Sequence, residues 1–471
     1  MKFIKIILMI LLLSGCNPLR PEKLQLPDPP DSYSIEQPLP ATQLEEQWWK
    51  DFHDPQLDQL QQQLFSNNLN LRQAIYRLQQ LEMMKKINRA NRWPQLTLNG
   101  TLKRDSLPAL PNDTITTTER FSIAAGYEVD LWNRLSDKAK AAEFRYQAGE
   151  NDVRTLLLSL SAQLADQYFL AVEQRGQLAL LEQQTVQKEG LLKIFTDRYR
   201  AGLTTATEVY KARQNLATVK SLVPDRRASL ARAENNIALL LGQAPGTVSI
   251  QAEQLPQLTN LVDIGLPADL LLRRPDIAAA TQQLAAADHE LAAALAARLP
   301  AVNLTAAIGH SATKLAVGDI EGTFWNLALG LTQPIFDGGR RKAESQRQKA
   351  IREEKFAAWQ QTFLTALQEV ETALISEVNA GEKSRRLEQQ RRINAQTLKL
   401  TRDNYLNGLT DSRDLLLSQF AQIDILRQQL TTHRQQLSQR ISLARALGGS
   451  WMAAELDHQR AILQQQDENH D

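Results

Sequence analysis

The stretch WPQLTLNGTLKR, residues 93–104, alternates apolar and polar side chains. Leu96, Leu98 and Leu102 fall on one side of an extended chain, and the other side carries Thr97, Asn99, Thr101 and Lys103. A period of two residues is typical of a β-strand with one apolar face. The pattern therefore predicts a strand, although the chain around it is dominated by long Leu, Ala, Gln, Arg and Glu runs that favour helix.

Only three other segments share this alternation, near residues 121–129, 302–309 and 325–332. They predict two β-hairpins, at about 95–131 and 301–333, and the polar stretch 105–118 is expected to form the loop of the first. Each run is near ten residues, which is the length of a tilted membrane-spanning strand. The polar faces, predicted to line water, carry Thr97, Asn99, Thr101, Ser122, Glu128, Asn303, Thr305, Asn326 and Thr332.

Three landmarks recur at one fixed offset along the chain. Arg92-Trp93-Pro94 corresponds to Arg298-Leu299-Pro300, the run from Tyr199 to Thr204 corresponds to that from Tyr405 to Thr410, and Leu241-Gly242 corresponds to Leu447-Gly448. A shared offset over so long a stretch indicates an internal duplication. We predict a first repeat at 57–242, a linker at 243–274 and a second repeat at 275–448, followed by a polar C-terminal tail at 449–471.

Each repeat has the same predicted order of elements. A helix (57–92 and 275–298) precedes the hairpin, and a long helix (133–200 and 340–405) follows it. Apolar residues in the long helices recur every 3.5 residues on average, which is typical of a coiled coil, although Lys188 weakens the first pattern. Gly202 and Gly408 are predicted to end these helices in left-handed caps before a shorter return helix.

The N-terminus resembles a secretory signal. Lys2 and Lys5 precede an apolar run at 6–13 that is too short to span a bilayer. Ser14 and Gly15 before Cys16 resemble a bacterial lipobox, which predicts a signal peptide at 1–15 and lipidation of Cys16; an ordinary signal with a chance cysteine is the alternative. Cys16 is the only cysteine, so a disulfide does not explain it. Residues 16–56 are rich in proline and are predicted to form an extended tether.

Four strands are too few to close a barrel, since single-chain barrels of outer membranes begin at about eight. A bilayer excludes open sheet edges, because every backbone N–H and C=O group there needs a partner. Several chains must therefore combine their strands. Two copies would give a barrel filled by side chains, whereas three would give about twelve strands and a wider, polar lumen. A periplasmic helical bundle with two accessory hairpins is the alternative.

Composition argues against nucleic-acid binding and against enzymatic chemistry. The chain has 471 residues, 43% hydrophobic and 23% charged, with a net charge of only +1 at pH 7, so nothing predicts a polyanionic partner. Its six histidines show no metal-ligand spacing. The sequence GGRRKA at 338–343 lacks the GxxxxGK[ST] pattern of a phosphate-binding loop. We therefore expect no enzyme activity, no cofactor and no metal site.

Six motifs in order resemble one known family. They are QWWKDFHDPQLDQL at 47–60, NLNLRQA at 68–74, YEVDLWNR at 127–134, RAGLTTATEVYKAR at 200–213, LLRRPDI at 271–277 and PIFDGGRRKA at 334–343. Together with the duplication, they resemble the TolC-like outer-membrane factors, and within these the lipidated branch that serves resistance-nodulation-division efflux pumps. The resemblance covers essentially the whole chain after Cys16.

The resemblance implies an α+β membrane protein. Three identical chains would form a twelve-stranded β-barrel in the outer membrane, continuous with a long α-helical coiled-coil barrel in the periplasm. A periplasmic adaptor protein and an inner-membrane pump would hand over small toxic compounds, which leave passively. The same fold can serve type I protein secretion or other pump classes, and a non-channel structural lipoprotein is a further alternative.

The resemblance also assigns roles to residues at the ends of the long helices. Two turns would meet the adaptor, and they contain Gly202, Leu203, Thr204, Gly408, Leu409 and Thr410. Asp411 and Asp414 fall where relatives often place the acidic side chains of a periplasmic gate, whereas Arg413 and Leu417 depart from the family pattern. The alternatives are that the turns are only helix caps and that the two aspartates are only solvated surface carboxylates.

Overall fold

A computed structural model describes residues 47–107, 114–258, 274–315 and 318–468. Cys16, the predicted signal peptide and most of the predicted tether lie outside the described residues. The chain divides into two compact units. The first takes in the described residues within 76–151 and 277–362, and the second takes in those within 28–75, 152–276 and 363–471. None of the described helices has the length and apolar character that crossing a membrane requires.

The elements follow one another in two similar series. The first is a 3₁₀-helix, Trp48–Phe52, then α1 (Pro55–Asn67), α2 (Leu69–Ala90), β1 (Gln95–Leu107), β2 (Thr114–Val129), α3 (Arg134–Arg200) and α4 (Ala206–Leu240). The second is α5 (Pro275–Ala296), β3 (Ala301–Leu315), β4 (Gly318–Thr332), α6 (Arg340–Leu406), α7 (Ser412–Leu447) and α8 (Trp451–Glu468). Both α3 and α6 contain 67 residues. Each element from α2 to α4 has a counterpart in the second series at the offset of the duplication.

The first unit contains one antiparallel sheet in the order β1-β2-β3-β4. Its register keeps the alternation of all four strands in phase. One row across the sheet pairs Leu98 with Ile123, Ile123 with Ile308, and Ile308 with Trp325. Rows of this kind give one continuous apolar face, while the polar residues predicted to line water lie on the opposite face.

The strands are longer than the ten residues expected from alternation. Asp105 pairs with Thr116, so both ends of the loop expected at 105–118 belong to the strands. The polar run at 114–118 hid this extension, because threonines on both faces remove the apolar alternation while still favouring strand. The first loop is therefore shorter than predicted.

Charged and aromatic side chains fix the helices of the first unit. The buried Arg352 pairs with Asp288 at 2.6 Å. Trp359 is buried and donates to the Thr281 hydroxyl at 2.9 Å. Because both contacts join α5 to α6, this helix pair is held by specific polar contacts as well as by apolar packing.

The first predicted helix, 57–92, is in fact two helices. Asn68 separates α1 from α2 with a backbone in the extended region (φ −64°, ψ 122°). Its side chain accepts from the backbone N–H of Leu71 at 2.9 Å and donates to the carbonyl of Leu240 at 2.7 Å. An asparagine that satisfies local backbone groups in this way competes with a continuous helix. The prediction of one unbroken helix was therefore wrong.

An aromatic cluster in the second unit holds both ends of the described chain. Trp49 lies 4.9 Å from Trp451 and 5.7 Å from Phe65 between ring centroids. Phe52 lies 4.9 Å from Phe169 on α3. Edge contacts between buried rings stabilise beyond the area that they bury. We call Trp48, Trp49, Phe52, Phe65, Phe169 and Trp451 the aromatic clamp.

The predicted polar tail at 449–471 is not a tail over most of its length. Residues Trp451–Glu468 form α8, and its Trp451, Met452 and Leu456 are buried. Polar residues elsewhere in this segment concealed its amphipathic spacing. Burial of the apolar side of α8 supplies the free energy that an isolated short helix lacks.

Candidate functional site

The ends of α3 and α6 have the same backbone geometry. Gly202 and Gly408 have φ of +71° and +73°. Leu203 N–H donates to the carbonyl of Arg198, and Leu409 N–H to that of Asn404, both at 2.8 Å. These bonds, with those of the glycine N–H groups to Tyr199 and Tyr405, form a Schellman motif in each turn. The expected left-handed caps are therefore present at both positions.

Each turn presents an apolar side chain outward. Leu203 is 66% exposed and Leu409 is 73% exposed. Thr204 and Thr410 are half-buried, and the Thr410 hydroxyl has no hydrogen-bond partner among the described residues. We call the segments 201–204 and 407–410 the first and second tips.

The helices that follow the tips begin differently. Asp411 is the N-cap of α7, and its carboxylate accepts from the backbone N–H groups of Arg413 at 2.8 Å and Asp414 at 3.2 Å. Its counterpart Thr205 at the start of α4 makes no side-chain cap bond. Asp411 therefore has a structural task, which the sequence prediction of a gate acid did not include. Asp414 is exposed in the first turn of α7, and its carboxylate has no partner among the described residues.

The two tips are joined by a contact that sequence reasoning missed. The guanidinium of Arg198 donates to the Tyr405 hydroxyl at 2.9 Å and lies 5.8 Å from the centroid of its ring. Arg198 lies one turn before Gly202, and Tyr405 lies one turn before Gly408. The duplication aligns Tyr405 with Tyr199. It gives no indication that Tyr405 accepts a hydrogen bond from Arg198, the residue before Tyr199.

An apolar layer lies one turn further from the tips. Phe195, Val209 and Ala212 form a buried cluster, against which Leu192 and Leu416 pack. The cluster joins α3 and α4 to α7. The contact between Arg198 and Tyr405 is thus adjacent to side chains that exclude water.

Beyond this layer lies a buried lysine. Lys188 is only 3% exposed, and its ammonium lies 3.6 Å from the centroid of the Phe420 ring without a hydrogen-bond partner among the described residues. Burial lowers the pKa of Lys188 from 10.5 to about 8. Lys188, which weakens the apolar coiled-coil pattern in the sequence, therefore lies inside the contact between α3 and α7.

Polar side chains connect α3 and α7 further from the tips than Lys188. Gln177 donates to the Thr431 hydroxyl at 3.1 Å, and Thr431 donates to the buried Glu173 at 2.7 Å. Arg434 lies 3.3 Å from Glu173, and the hydroxyl of Ser438 donates to Asp166. These contacts join the two repeats by hydrogen bonds and an ion pair rather than by apolar packing alone.

Two half-buried histidines have structural partners. His433 is hydrogen-bonded to the carbonyl of Pro256 at 2.9 Å, and its burial lowers its pKa. His289 pairs with Asp137 at 2.8 Å and stacks on Phe144. Among the described residues, no cluster of His, Cys, Asp and Glu has the arrangement of a metal site.

The comparisons with known proteins agree with this geometry. The family model of the outer membrane efflux proteins matches residues 60–243 and 266–449. The two matches are separated by the same offset as the repeated landmarks, at their starts and at their ends. This agreement confirms the duplication inferred from the sequence.

Individual relatives match over most of their length. The outer membrane protein OprJ of Pseudomonas aeruginosa is 30% identical over 426 residues, which are 86% of each chain. The pyoverdine export outer membrane protein OpmQ of the same species is 30% identical over 427 residues, covering 86% of this chain and 88% of that relative. The solved structure of the outer-membrane channel OprN has a TM-score of 0.83 at 26% identity and covers 92% of this chain and 99% of that chain.

The predicted TolC-like fold, with four antiparallel strands and long helices in two repeats, is therefore confirmed. The family transports its cargo and performs no chemistry on it, which agrees with the expectation that this chain is not an enzyme. The family model matches both repeats, and the fold is shared with the solved channel structure. This chain therefore belongs to the outer membrane efflux protein family.

Proposed function

We propose that three copies of this chain form the outer-membrane channel of a tripartite efflux system. The observation that carries the proposal is the sheet in the first unit. Its outer strands β1 and β4 have no neighbour on their outer edges within the described chain, and its apolar face is exposed. Leu98 is 77% exposed and Trp325 is 76% exposed. A bilayer accommodates such a face only if the edges are paired, so β4 of one copy would pair with β1 of the next.

Three copies fit the polar face better than two. A closed sheet of twelve strands leaves a lumen wide enough for water and small solutes, whereas eight strands are filled by their own side chains. The inward face would carry Asn99, Thr305 and Asn326. Hydrated cargo would then meet hydroxyl and amide groups along its path.

The channel proposal is tested with the full-length protein in planar lipid bilayers. We expect discrete conductance steps and a trimeric mass for the purified protein in detergent. A monomer without conductance would instead support the non-channel structural lipoprotein. Cross-linking in intact membranes gives the oligomeric state independently of detergent.

We propose that the two tips dock on a periplasmic adaptor. Leu203 and Leu409 offer exposed apolar side chains on rigid caps. A groove of about 880 Å³ beside the tips, between α3, α6 and α7, has Ile194, Leu398 and Leu415 among its lining residues. Leu203→Asp with Leu409→Asp should abolish adaptor cross-linking while the trimer still forms. Leu239→Asp is the control, since Leu239 is also exposed (74%) but lies at the end of α4, away from the tips.

We propose that the contact between Arg198 and Tyr405 closes the periplasmic end, and that the exposed Asp414 in the first turn of α7 contributes to the same gate. The hydrogen bond joins the two helical hairpins of one chain close to the tips, so its loss loosens this end while the apolar cluster and the polar contacts further along still hold α3 to α7. Around a threefold axis, three Asp414 side chains would repel one another and attract cations, more strongly at low salt.

The remaining features complete the proposed system. Cys16 is lipidated and anchors the mature chain to the outer membrane, and Cys16→Ser should remove the acyl groups that mass spectrometry detects. The partner pump is of the resistance-nodulation-division type, and the cargo consists of small toxic compounds. Co-expression with such a pump and its adaptor should restore export in a strain without its own channel. Restoration only by a type I secretion system would favour the alternative.

A further inference from the structure

An arginine lies close to each of the four strand ends that connect to a helix. Arg92 precedes β1, Arg134 follows β2, Arg298 precedes β3 and Arg340 follows β4. The duplication relates Arg92 to Arg298 and Arg134 to Arg340. The register pairs Gln95 with Gly126, Val129 with Val302 and Ala301 with Thr332, so these four strand ends lie at the same end of the sheet.

The two arginines that follow strands differ in their partners. Arg134 makes a bidentate pair with Glu128, at 3.0 Å from Nε to Oε1 and 2.5 Å from Nη2 to Oε2. The position that corresponds to Glu128 in the second repeat is Pro334. Arg340 therefore has no such carboxylate. It is exposed, and its guanidinium has no partner among the described residues.

Two hydrogen bonds hold together the segments that carry Arg340 and Arg298. Arg341 Nη1 donates to the carbonyl of Ala297 at 2.5 Å, and Gln333 Nε2 donates to the carbonyl of Arg298 at 3.2 Å. These bonds hold the segment 333–341 against the end of α5. Arg298 is also exposed, and its side chain likewise lacks a partner in the described part of the chain. Two exposed cations without a side-chain partner among the described residues thus extend from segments that hydrogen bonds hold together.

Large apolar side chains lie beside these cations. Ile335 is fully exposed, at 100%, and Phe336 is 90% exposed. Both lie between the end of β4 and Arg340. Two adjacent apolar side chains that are almost fully exposed form a patch that favours an apolar partner.

We propose that Arg298, Arg340, Ile335 and Phe336 form a binding site for the headgroup of an anionic phospholipid. This inference rests on the proposed membrane position of the sheet. Ile335 and Phe336 would enter the acyl region next to the sheet, where apolar and aromatic residues mark the boundary of the bilayer. The two guanidinium groups would bind the phosphodiester, which Arg recognises through paired N–H donors. The net positive charge selects an anionic headgroup over a zwitterionic one.

The second repeat therefore differs from the first in lipid recognition. In the first repeat Arg134 forms an ion pair with Glu128. Arg92, next to the exposed Trp93 (71%), is therefore the single cation left there for a lipid. The site in the second repeat has two cations and no carboxylate partner for either among the described residues. We expect one preferred anionic lipid for each chain.

The test uses the delipidated full-length protein in detergent and native mass spectrometry. The protein is titrated with dioctanoyl phosphatidylglycerol, dioctanoyl phosphatidylcholine and, separately, inorganic phosphate. Wild type should bind phosphatidylglycerol with clear preference over phosphatidylcholine. Arg298→Gln with Arg340→Gln should weaken phosphatidylglycerol binding by roughly fivefold for each arginine removed.

The control removes the same charge elsewhere. Arg227→Gln with Arg386→Gln changes two exposed arginines on the helices, with side chains 67% and 74% exposed, and should leave lipid binding unchanged. Equal binding of the two lipids by wild type, or equal phosphatidylglycerol binding by wild type and the Arg298/Arg340 variant, would overturn the proposal. Binding of inorganic phosphate as tight as that of the lipid would show an anion site without lipid recognition and would also overturn it.

Conductance in planar bilayers separates this inference from the proposed function. A variant that conducts but has lost phosphatidylglycerol preference supports the lipid site and the channel together. A wild type that does not conduct would refute the channel, while the lipid titration in detergent would still give its own answer.

Discussion

The side-chain amide of Asn68 donates a hydrogen bond of 2.7 Å to the backbone carbonyl of Leu240. At the equivalent position of the second repeat, Arg274 donates to the carbonyl of Ala446 at 3.0 Å. Both acceptors lie in the last turn of a return helix, α4 or α7, where carbonyl groups lack helical partners. Two chemically different side chains therefore perform the same task at positions that the duplication relates.

Arg274 carries more of the structure than Asn68. It is 7% exposed and also pairs with Asp276 at 2.6 Å and Glu369 at 2.8 Å. Arg274→Met should lower the free energy of unfolding by about 3 kcal/mol, because two carboxylates lose the buried guanidinium that both contact. Arg445→Met is the control, since Arg445 is half exposed and 3.9 Å from Glu369. Unfolding in detergent, followed by tryptophan fluorescence, measures both; equal losses would contradict the assignment.

The caps after the tips predict an asymmetry between the repeats. Asp411→Ala should reduce the stability of the α7 start by about 1 kcal/mol, because two backbone N–H groups lose their acceptor. Thr205→Ala should have little effect, since the Thr205 side chain makes no cap bond. Hydrogen exchange of the amides at 413–416 and 207–210 measures the two helix starts separately. Equal acceleration in both variants would be inconsistent with the structure.

Lys188 predicts a dependence of stability on pH. Its pKa is about 8 in the folded chain, below its ordinary 10.5, so the unfolded chain binds more protons between these values and stability rises as pH increases through this window. At pH 7 the buried charge destabilises the fold on the order of 3 kcal/mol, partly offset by the Phe420 ring.

Lys188→Met should therefore raise the melting temperature at pH 7, and its advantage over wild type should shrink by pH 9.5. Lys193→Met removes an exposed lysine from the same helix and serves as the control. An advantage that stays constant with pH would show that packing, rather than the charge of Lys188, causes the difference.

The contact between the tips predicts a gate phenotype. Tyr405→Phe removes the hydroxyl that accepts from Arg198 and should increase the open fraction in planar bilayers about fivefold, which corresponds to the loss of one hydrogen bond. Tyr199→Phe is the matched control at the equivalent position of the first repeat, with a side chain that is 49% exposed. Similar conductance of the Tyr405→Phe variant and wild type would show that this contact does not contribute to the gate.

The sheet predicts a steric effect at one glycine. A Cβ at Gly309 would overlap the carbonyl oxygen of Phe121 in the neighbouring strand and lie 2.6 Å from the Cβ of Ser122, whereas a Cβ at Gly322 meets nothing within 4 Å. Gly309→Ala should destabilise the pairing of β2 with β3 by about 3 kcal/mol and reduce the yield of assembled protein. Gly322→Ala should assemble as wild type does. Assembly is measured by gel mobility without heating.

The sequence predicted the elements whose signals repeat along the chain. Alternation from Leu96 to Leu102 identified a strand, and the offset between Arg92 and Arg298 identified the duplication. Both signals arise from local geometry, because a pleated strand and a helix each impose a fixed period on the side that is buried. Glycine at 202 and 408 likewise predicted a backbone conformation that few other residues adopt.

The sequence did not predict contacts between residues that lie far apart along the chain. The bond between Arg198 and Tyr405 crosses from one repeat to the other, and nothing in the local pattern of either residue indicates its partner. The break at Asn68 depends on the carbonyl of Leu240, which is 172 residues away. The burial of Trp451 depends on Trp49, at the opposite end of the described chain. Such features follow from the assembled fold and not from local periodicity.

The aromatic clamp has a mechanical consequence. Trp49 lies in the first described helix, Trp451 begins the last one, and their rings make an edge contact. With Cys16 lipidated as proposed, a force that reaches the folded chain from the membrane would therefore act on both ends of the polypeptide before it reached the long helices. Unfolding of the first turn would require the displacement of α8 as well, so the aromatic clamp would distribute that force over two helices.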